Sequence, residues 1–405
     1  MQNATSPGSC YYQFMAEPFS LYLHIPFCTA KCGYCDFNSY AGNEHLIPSY
    51  SQALVKEAQL WQKTTAGRSV TTVFFGGGTP SLMPVDEMAT MMEGLRAAFD
   101  ILPDAEISLE ANPSSLDEAY LRGLLELGFN RLSIGVQSFH DEELQALDRL
   151  HSAAEAREAF QAARSAGFRN VRIDLIFGLP EQEMASWQES VEAALALEPD
   201  HISLYALTVE QGTPLARDVA RGRTTAPSPD AQADQYEWTE QRLADAGYEH
   251  YEISNWAKPG YRCEHNMTYW RCREYLGLGA GAHSYLDGVR FAVAALPTKY
   301  LELVDESWKD LQAGGEMKMR QVISGEPITQ ELAMSDTLIL GLRINDGVSL
   351  AQFQEQFGVD ALERFAEELS EPFDAGLVEE ANGNLRLTKR GRLLGNEVFV
   401  RLLPD

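Results

Sequence analysis

Three cysteines stand within eight positions, in the run Phe27-Cys28-Thr29-Ala30-Lys31-Cys32-Gly33-Tyr34-Cys35-Asp36-Phe37. Thiolates are soft ligands, suited to zinc or to iron–sulfur clusters. Zinc sites normally close with four ligands, and no neighbouring Cys or His pair supplies the fourth at finger-like spacing. Three thiolates on a 4Fe–4S cluster leave one iron open to an outside ligand. The other cysteines, Cys10, Cys263 and Cys272, are scattered. Such clustering in a large chain reads as metal or redox chemistry and not as a disulfide framework.

Other residues with chemical potential fall at regular places downstream. Gly76-Gly77-Gly78-Thr79-Pro80 follows a compact apolar run. Glycines there would let backbone groups approach a small polar ligand closely, although a glycine run alone can be no more than a tight turn. Glu110 in Glu110-Ala111-Asn112-Pro113, and Gln137 in Gly135-Val136-Gln137-Ser138, each end a β-rich run. Arg149 lies in a helix-ending loop, and Asp174 sits inside Arg172-Ile173-Asp174-Leu175-Ile176. A carboxylate in such a strand is costly unless partnered. Singly, each reads as a hydrogen-bonded structural residue; their common position at the ends of successive strands argues for a pocket.

The elements that position them alternate. Strands are expected at 19–24, 72–75, 106–110, 131–136, 171–177 and 201–207, with helices at 49–62, 85–99, 117–127, 153–166, 185–197 and 230–246. Ser115 and Glu118 stand at capping-box spacing ahead of the third helix. Gly128-Phe129, Gly167-Phe168 and Gly247-Tyr248 repeat one signal, a helix-ending glycine and an aromatic. Six strand–helix units imply a parallel sheet, too few for an eight-stranded barrel. A partial (β/α)6 barrel and a doubly wound sheet both fit, and both gather ligands at the carboxyl ends of the strands.

After Tyr248 the rhythm is lost. Residues 251–312 read as a connecting segment rich in aromatics, His and Gly, with a helix near 300–310. Residues 314–325 read as a linker. Helices at 335–343, 349–356 and 360–373, then a hairpin turning at Asn382-Gly383, make 313–405 a module of winged-helix type. Residues 1–17 read as a loose leader. The chain has 405 residues, 32 Lys and Arg against 59 Asp and Glu, and a formal charge of −27. A surface this acidic, with no basic cluster, disfavours nucleic acid as a partner. There is no apolar run long enough to span a bilayer and no basic residue before Lys31. The expected location is the cytoplasm, which leaves transient association with a membrane surface open.

The C-x3-C-x2-C spacing, with an aromatic before the last cysteine, resembles the radical S-adenosylmethionine superfamily. Tyr22 ahead of His24-Ile25-Pro26-Phe27, the Gly-Gly-Gly-Thr-Pro run, Glu-Ala-Asn-Pro, Gly-Val-Gln-Ser-Phe and Asp-Leu-Ile-Phe-Gly-Leu-Pro are similar to its oxygen-independent coproporphyrinogen III oxidase family over roughly residues 19–400. The resemblance implies the partial (β/α)6 barrel. It implies a 4Fe–4S cluster on Cys28, Cys32 and Cys35, with the open iron binding the amino and carboxylate groups of S-adenosylmethionine. It also implies S-adenosylmethionine contacts from Tyr22, Gly77, Gly78, Thr79, Glu110, Gln137, Arg149, Asp174 and Ala206. On this reading Gly77→Val weakens cofactor binding and spares the cluster.

Within that family an oxidase decarboxylates coproporphyrinogen III, and a paralogous branch carries heme. The oxidase has a fourth cysteine two positions after the third and a longer N-terminal segment. Here the position is Phe37, and 27 residues precede Cys28. Both features resemble the heme-chaperone branch, which implies heme as a ligand and a heme-acceptor protein as partner. His265-Asn266-Met267-Thr268-Tyr269-Trp270 is similar to that branch's heme-associated element. Imidazole is the commonest heme ligand, and Tyr269 and Trp270 could flank a porphyrin. Cys263 is two residues upstream, and His283 could line the same space. The plain alternative is a buried, hydrogen-bonded histidine and inert cysteines. The expected position of the element is the open side of the barrel, facing the C-terminal module.

Overall fold

The computed structural model describes residues 17–314 and 318–404. The leader, apart from Glu17, and Cys10 lie outside the described residues, as does part of the linker expected over 314–325. Six strands pair in chain order and in parallel: β1 (Phe19–Ile25), β2 (Ser69–Gly77), β3 (Asp100–Ala111), β4 (Arg131–Gln137), β5 (Val171–Phe177) and β6 (His201–Ala206). The helices between them are α1 (Ile47–Trp61), α2 (Val85–Ala98), α3 (Glu118–Glu126), α4 (Ala153–Ala166) and α5 (Met184–Ala196), with α6 (Pro229–Asp245) after β6. Strand periodicity divides the side chains. Leu23, Phe75, Leu109, Ile134 and Ile173 face the helices and join Leu54, Met92, Leu124, Phe160 and Trp187 in one apolar core. The alternate residues face the axis and are largely polar: Ser133 donates to Asp174 at 2.5 Å, and Arg172 Nε to the same carboxylate at 2.6 Å. Asp174 is thus a partnered carboxylate, which is what a strand buried on both faces demands.

The capping signal at Ser115 is not used. Asp117 caps α3, accepting from Tyr120 N, while Ser115 closes a short 3-10 turn and donates to Asn112 O. The true capping box is Ser152 with Glu155 at the start of α4. The three helix-ending glycines at 128, 167 and 247 all take positive φ, as a left-handed C-terminal residue requires.

The segment expected as a connector belongs to the sheet. β7 (Glu249–Glu252) and β8 (Asn255–Ala257) add antiparallel strands beyond β6. The chain then crosses the barrel as α7 (Glu264–Trp270) and returns on the opposite edge. There β9 (Tyr275–Leu278) runs parallel to β1, followed by antiparallel β10 (His283–Leu286) and β11 (Val289–Val293). After α8 (Pro297–Gln312), β12 (Val322–Pro327) pairs with β11 where a linker was expected. The result is one open sheet of twelve strands, ordered β12-β11-β10-β9-β1-β2-β3-β4-β5-β6-β8-β7. The strands over 249–327 extend the sheet, so a division at residue 250 cuts through it.

The last part packs on its own core of Leu338, Phe353, Phe365, Leu369, Leu385 and Val398. It comprises helices α9 (Gln330–Gly341), α10 (Leu350–Phe357) and α11 (Ala366–Asp374). A small antiparallel sheet, β13 (Val348–Ser349), β14 (Val378–Ala381) and β15 (Asn384–Leu387), completes it. The expected hairpin is there, with Asn382 and Gly383 both at positive φ. Arg343 lies over the Trp270 ring at 4.7 Å, and Arg290 bridges Asp336 at 2.5 Å, tying module to sheet.

Candidate functional site

A cavity of about 380 Å³ opens at the carboxyl ends of β2–β6, in the size range of small-molecule sites. Cys28, Cys32 and Cys35 all line it. Their loop leaves β1, and Phe27–Cys28 forms a short parallel pairing with Tyr40–Ala41. Asn38 locks the loop to the sheet edge, donating to Ala280 O and Ala295 O at 2.9 and 3.0 Å. Lys31 Nζ closes it internally on Phe37 O at 2.9 Å. Thr79 Oγ1 reaches Cys28 Sγ at 3.5 Å and Arg149 Nη1 reaches Cys32 Sγ at 3.6 Å. Burial is the main cause of a raised pKa at Cys35.

Gly77, Gly78, Thr79, Glu110, Gln137, Arg149, Asp174 and Ala206 also line the cavity. Gln137 ends β4 at φ +68, a strained backbone for a residue with a side chain. Glu110 is half-buried at the end of β3. Desolvation pushes its carboxyl up to about 7, with Asp174 adding to the shift and Arg172 and Gly77 N opposing it. Arg149 donates through Nη2 to Gly135 O at 2.9 Å, while its buried Nε has no partner among the described residues. The guanidinium as a whole, a cation on the wall of a cavity, suits an anionic ligand group.

Three expectations change. Tyr22 does not reach the cavity: its hydroxyl bonds His24 Nδ1 at 3.0 Å and its ring stacks on Phe74 and His265. The glycine run offers no free amides. Gly77 N donates to Glu110, Gly78 N to Ile25 O and Thr79 N to Phe27 O. A Cβ on Gly77 would stand 2.8 Å from His24 and 2.9 Å from Ile25 O, and one on Gly78 2.8 Å from Cys28 Sγ. Gly77→Val therefore strikes the β1–β2 packing before it strikes any ligand. The third change concerns His265. It is buried in α7, with Nδ1 bonded to Thr72 Oγ1 at 2.7 Å and Nε2 to Tyr269 Oη at 2.8 Å. Its ring stacks on Phe74 at 4.9 Å, and Glu106 accepts from its backbone N. Both ring nitrogens are committed, so no coordination position faces outward. Cys263 is likewise sealed against Glu106, its thiol pushed up to about 12 by burial.

Ser133, Arg172 and Tyr205 line the cavity and were not singled out from the sequence. Ser133 lies two residues from Gly135 on β4 and Arg172 two residues from Asp174 on β5, so strict alternation outward from Asp174 would have found Arg172, and alternation from Gly135 would have found Ser133.

The donor set fits an iron–sulfur cluster better than a lone ion. Among the described residues no three His, Cys, Asp or Glu side chains converge as single-ion ligands. A cluster takes one thiolate per iron and holds them apart, which suits three cysteines spread along one cavity wall. An open barrel of six parallel strands, with such a loop after β1 and a cavity at the strand ends, is the architecture of the radical SAM superfamily. The model of that superfamily matches residues 22–194, and that of the HemN C-terminal domain matches 328–394.

The relatives refine this. A protein of Mycobacterium tuberculosis named heme chaperone HemW is 37% identical over 390 residues, 96% of this chain and 95% of that protein. The Bacillus subtilis protein of the same name is 35% identical over 95% of this chain and 99% of its own length. Among solved structures, the coproporphyrinogen III oxidase HemN of Escherichia coli, titled a radical SAM enzyme, superposes with a TM-score of 0.83. It is 26% identical, with 96% of this chain and 91% of that one covered. The chain belongs to the oxygen-independent coproporphyrinogen III oxidase family of radical SAM proteins and is HemW-like within it. Membership implies a 4Fe–4S cluster and S-adenosylmethionine. Among the described residues no helix is long and apolar enough to cross a membrane.

Proposed function

We propose that this chain is a heme chaperone on a radical SAM scaffold, acting in the cytoplasm, that binds heme and passes it to an acceptor protein. The observation that carries the proposal is similarity along nearly the whole chain to proteins named heme chaperone HemW. Phe37 supports it: it stands where the oxidase has a further thiol, and it is 63% exposed beside the cysteine loop.

In this reading Cys28, Cys32 and Cys35 hold the 4Fe–4S cluster, which supplies an iron with an open position and a store of one electron. The residues around it bind and orient. Arg149, a cation on the cavity wall with Nη1 beside Cys32 Sγ, meets a ligand carboxylate. Glu110, its carboxyl pushed up to about 7 mainly by desolvation, ionises more fully when a positive ligand group approaches. Gly77, Gly78 and Thr79 hold the floor closed by donating to Glu110, Ile25 and Phe27. Gln137, Asp174 and Ala206 complete the walls.

The test is one anaerobically reconstituted sample, assayed for cluster content, heme titration and coproporphyrinogen turnover. The expected result is a full cluster, a Soret band and no decarboxylation. Conversion of coproporphyrinogen to protoporphyrinogen would make the protein an oxidase instead.

A further inference from the structure

β4 does not end as an ordinary strand. Its register against β5 slips between Gly135 and Gln137: Gly135 pairs with Asp174 and Gln137 with Leu175, so Val136 is the extra residue of a bulge. Val136 O then accepts from Ser138 N at 2.9 Å, across Gln137 at φ +68. Such a bond spanning one residue of positive φ is a γ-turn of the rarer, strained hand. Backbone of this kind persists only where its surroundings fix it. Gln137 lines the cavity over the cysteine loop, so the strain sits at the site.

Two side chains fix it, and both come from the loop after the short helix Asp141–Ala146. Arg149 Nη2 donates to Gly135 O at 2.9 Å, and His151 Nε2 to Val136 O at 3.0 Å. A carbonyl only accepts, so Nε2 carries the proton. Burial, and then the charge of Arg149, push the imidazole down to about 4, which keeps it neutral at pH 7. His151 is 3% exposed, and its Nδ1 has no partner among the described residues. An apolar side chain would fill this position without leaving a buried polar atom unpaired. What the imidazole adds is the bond to Val136 O.

The loop is held in its turn. Arg149 N donates to Leu144 O at 2.9 Å, and Asp148 takes φ +54. Asp148, Arg149 and Leu150 border both the cavity and a groove outside it, whereas His151 borders only the groove. His151 thus acts on the cavity through backbone. What it positions is read at Gly135. A Cβ there would stand 2.8 Å from Gln137 Nε2 and 3.6 Å from Arg149 Nη2. The Gln137 amide and the Arg149 guanidinium therefore lie together over bare backbone, and Arg149 Nη1 reaches on to Cys32 Sγ at 3.6 Å.

We propose that His151 is a positioning residue for S-adenosylmethionine: its bond to Val136 O holds the γ-turn that sets the Gln137 amide beside Arg149 in the binding cavity. The proposal rests on the reading of that cavity as the cofactor's site and adds a residue that stands outside it.

S-adenosylmethionine titrated by anaerobic calorimetry into the full, cluster-loaded protein tests this, with His151→Leu, His151→Asn and His151→Gln beside wild type. The Gln amide N–H reaches where Nε2 stood; that of Asn, one methylene shorter, does not. His151→Leu and His151→Asn are expected to weaken binding about tenfold, and His151→Gln to bring it back to within about threefold of wild type. Iron and sulfide content should be equal in all four. Recovery by Gln and not by Asn supports the Val136 bond, because lost packing alone would not produce it. If all three variants keep wild-type affinity, or if His151→Gln binds as weakly as His151→Leu, the proposal falls. Should His151→Leu fail to fold, the Asn and Gln variants decide, equal affinities overturning the assignment. Wild type that carries a full cluster and binds no S-adenosylmethionine would overturn the cofactor reading, and this proposal with it, before any substitution is made.

Discussion

At the amino ends of the barrel strands, polar side chains facing the axis bond to α7 or to the chain that leads into it. Glu106 caps the helix through Glu264 N and His265 N, Arg131 donates to Tyr261 O, and His201 bonds the Tyr251 hydroxyl at 2.8 Å. At the carboxyl ends Glu110, Gln137 and Arg149 face a cavity, and one buried donor there is unpartnered. Arg131 Nη2 and Ser108 Oγ also lack partners among the described residues, but neither residue lines that cavity. The two ends use the same residue types. What separates a site from a plug is whether a group with spare capacity can be reached. Two buried glutamates repeat the lesson. Glu57 is fully buried and Glu110 half-buried, and desolvation pushes both up to about 7. Glu57 accepts from Tyr300 at 2.7 Å, Gly279 N at 2.8 Å and Gln321 at 3.4 Å, whereas among the described residues Glu110 accepts only from Gly77 N, at 3.2 Å, and it lines the cavity.

The contrast can be broken most severely at the open end. Replacing Cys28, Cys32 or Cys35 by Ala should abolish the cluster, read by iron and sulfide content and the visible spectrum. Cys263→Ala, at the sealed end, should keep it in full. Equal iron in all four variants would remove the distinction.

At the sealed end the expected loss is of folding. His265→Ala deletes a ring stacked on Phe74 and strips partners from Thr72 and Tyr269. Cavity formation plus two broken buried hydrogen bonds should cost about 3 kcal/mol in denaturant titration, with the cluster retained. A variant as stable as wild type would show that the plug is loose.

Glu110→Gln should weaken S-adenosylmethionine binding by about tenfold at pH 8, since the sulfonium ligand loses its counter-charge. Wild-type affinity should rise with pH through about 7 as Glu110 ionises, and the variant should lose that rise; calorimetry at pH 6 and 8 reads both. The sign for stability is opposite. The folded pKa lies above the ordinary carboxyl value of 4.5, so the ligand-free fold is relieved of the buried charge below about 4.5. It loses on the order of 3 kcal/mol of stability as pH climbs to 7.

The smallest effect is expected at Glu57→Gln. The amide oxygen still accepts from Tyr300 or Gly279 N, and a buried charge is removed, so melting at pH 8 should change by less than about 1 kcal/mol, toward greater stability. A large loss would mean that Glu57 is ionised and needed as such.

Much of the open end was legible before any coordinates. Ligand spacing in a loop is local, so Cys28, Cys32 and Cys35 could be picked out directly. The six parallel strands announce themselves as β-rich runs with helix-ending glycines between them. Residues at strand ends, from Gly77 to Ala206, follow from that order, because a parallel sheet brings all its carboxyl ends to one side. Tyr22 was misplaced for a reason of level: it faces the axis, but one step below the cavity, under His24 and Gly76. The strands β7–β12 were invisible because they are three to six residues long and rich in aromatics, His and Gly. Such runs become strands only when an existing sheet edge supplies their hydrogen bonds.

The sequence by itself determined the cysteine loop, the barrel units and the polar strand ends, since each depends on neighbours a few residues away. The tertiary structure alone decided the fate of the His265 element. Its partners Thr72 and Glu106 are 193 and 159 positions distant, and no local pattern reports whether a histidine's nitrogens will be claimed from so far. The same long-range closure set Tyr269, Tyr275 and Cys272 around a cleft with α9. Burial and hydrogen-bond satisfaction are properties of the packed chain, and only packing could say which of two polar ends stayed open.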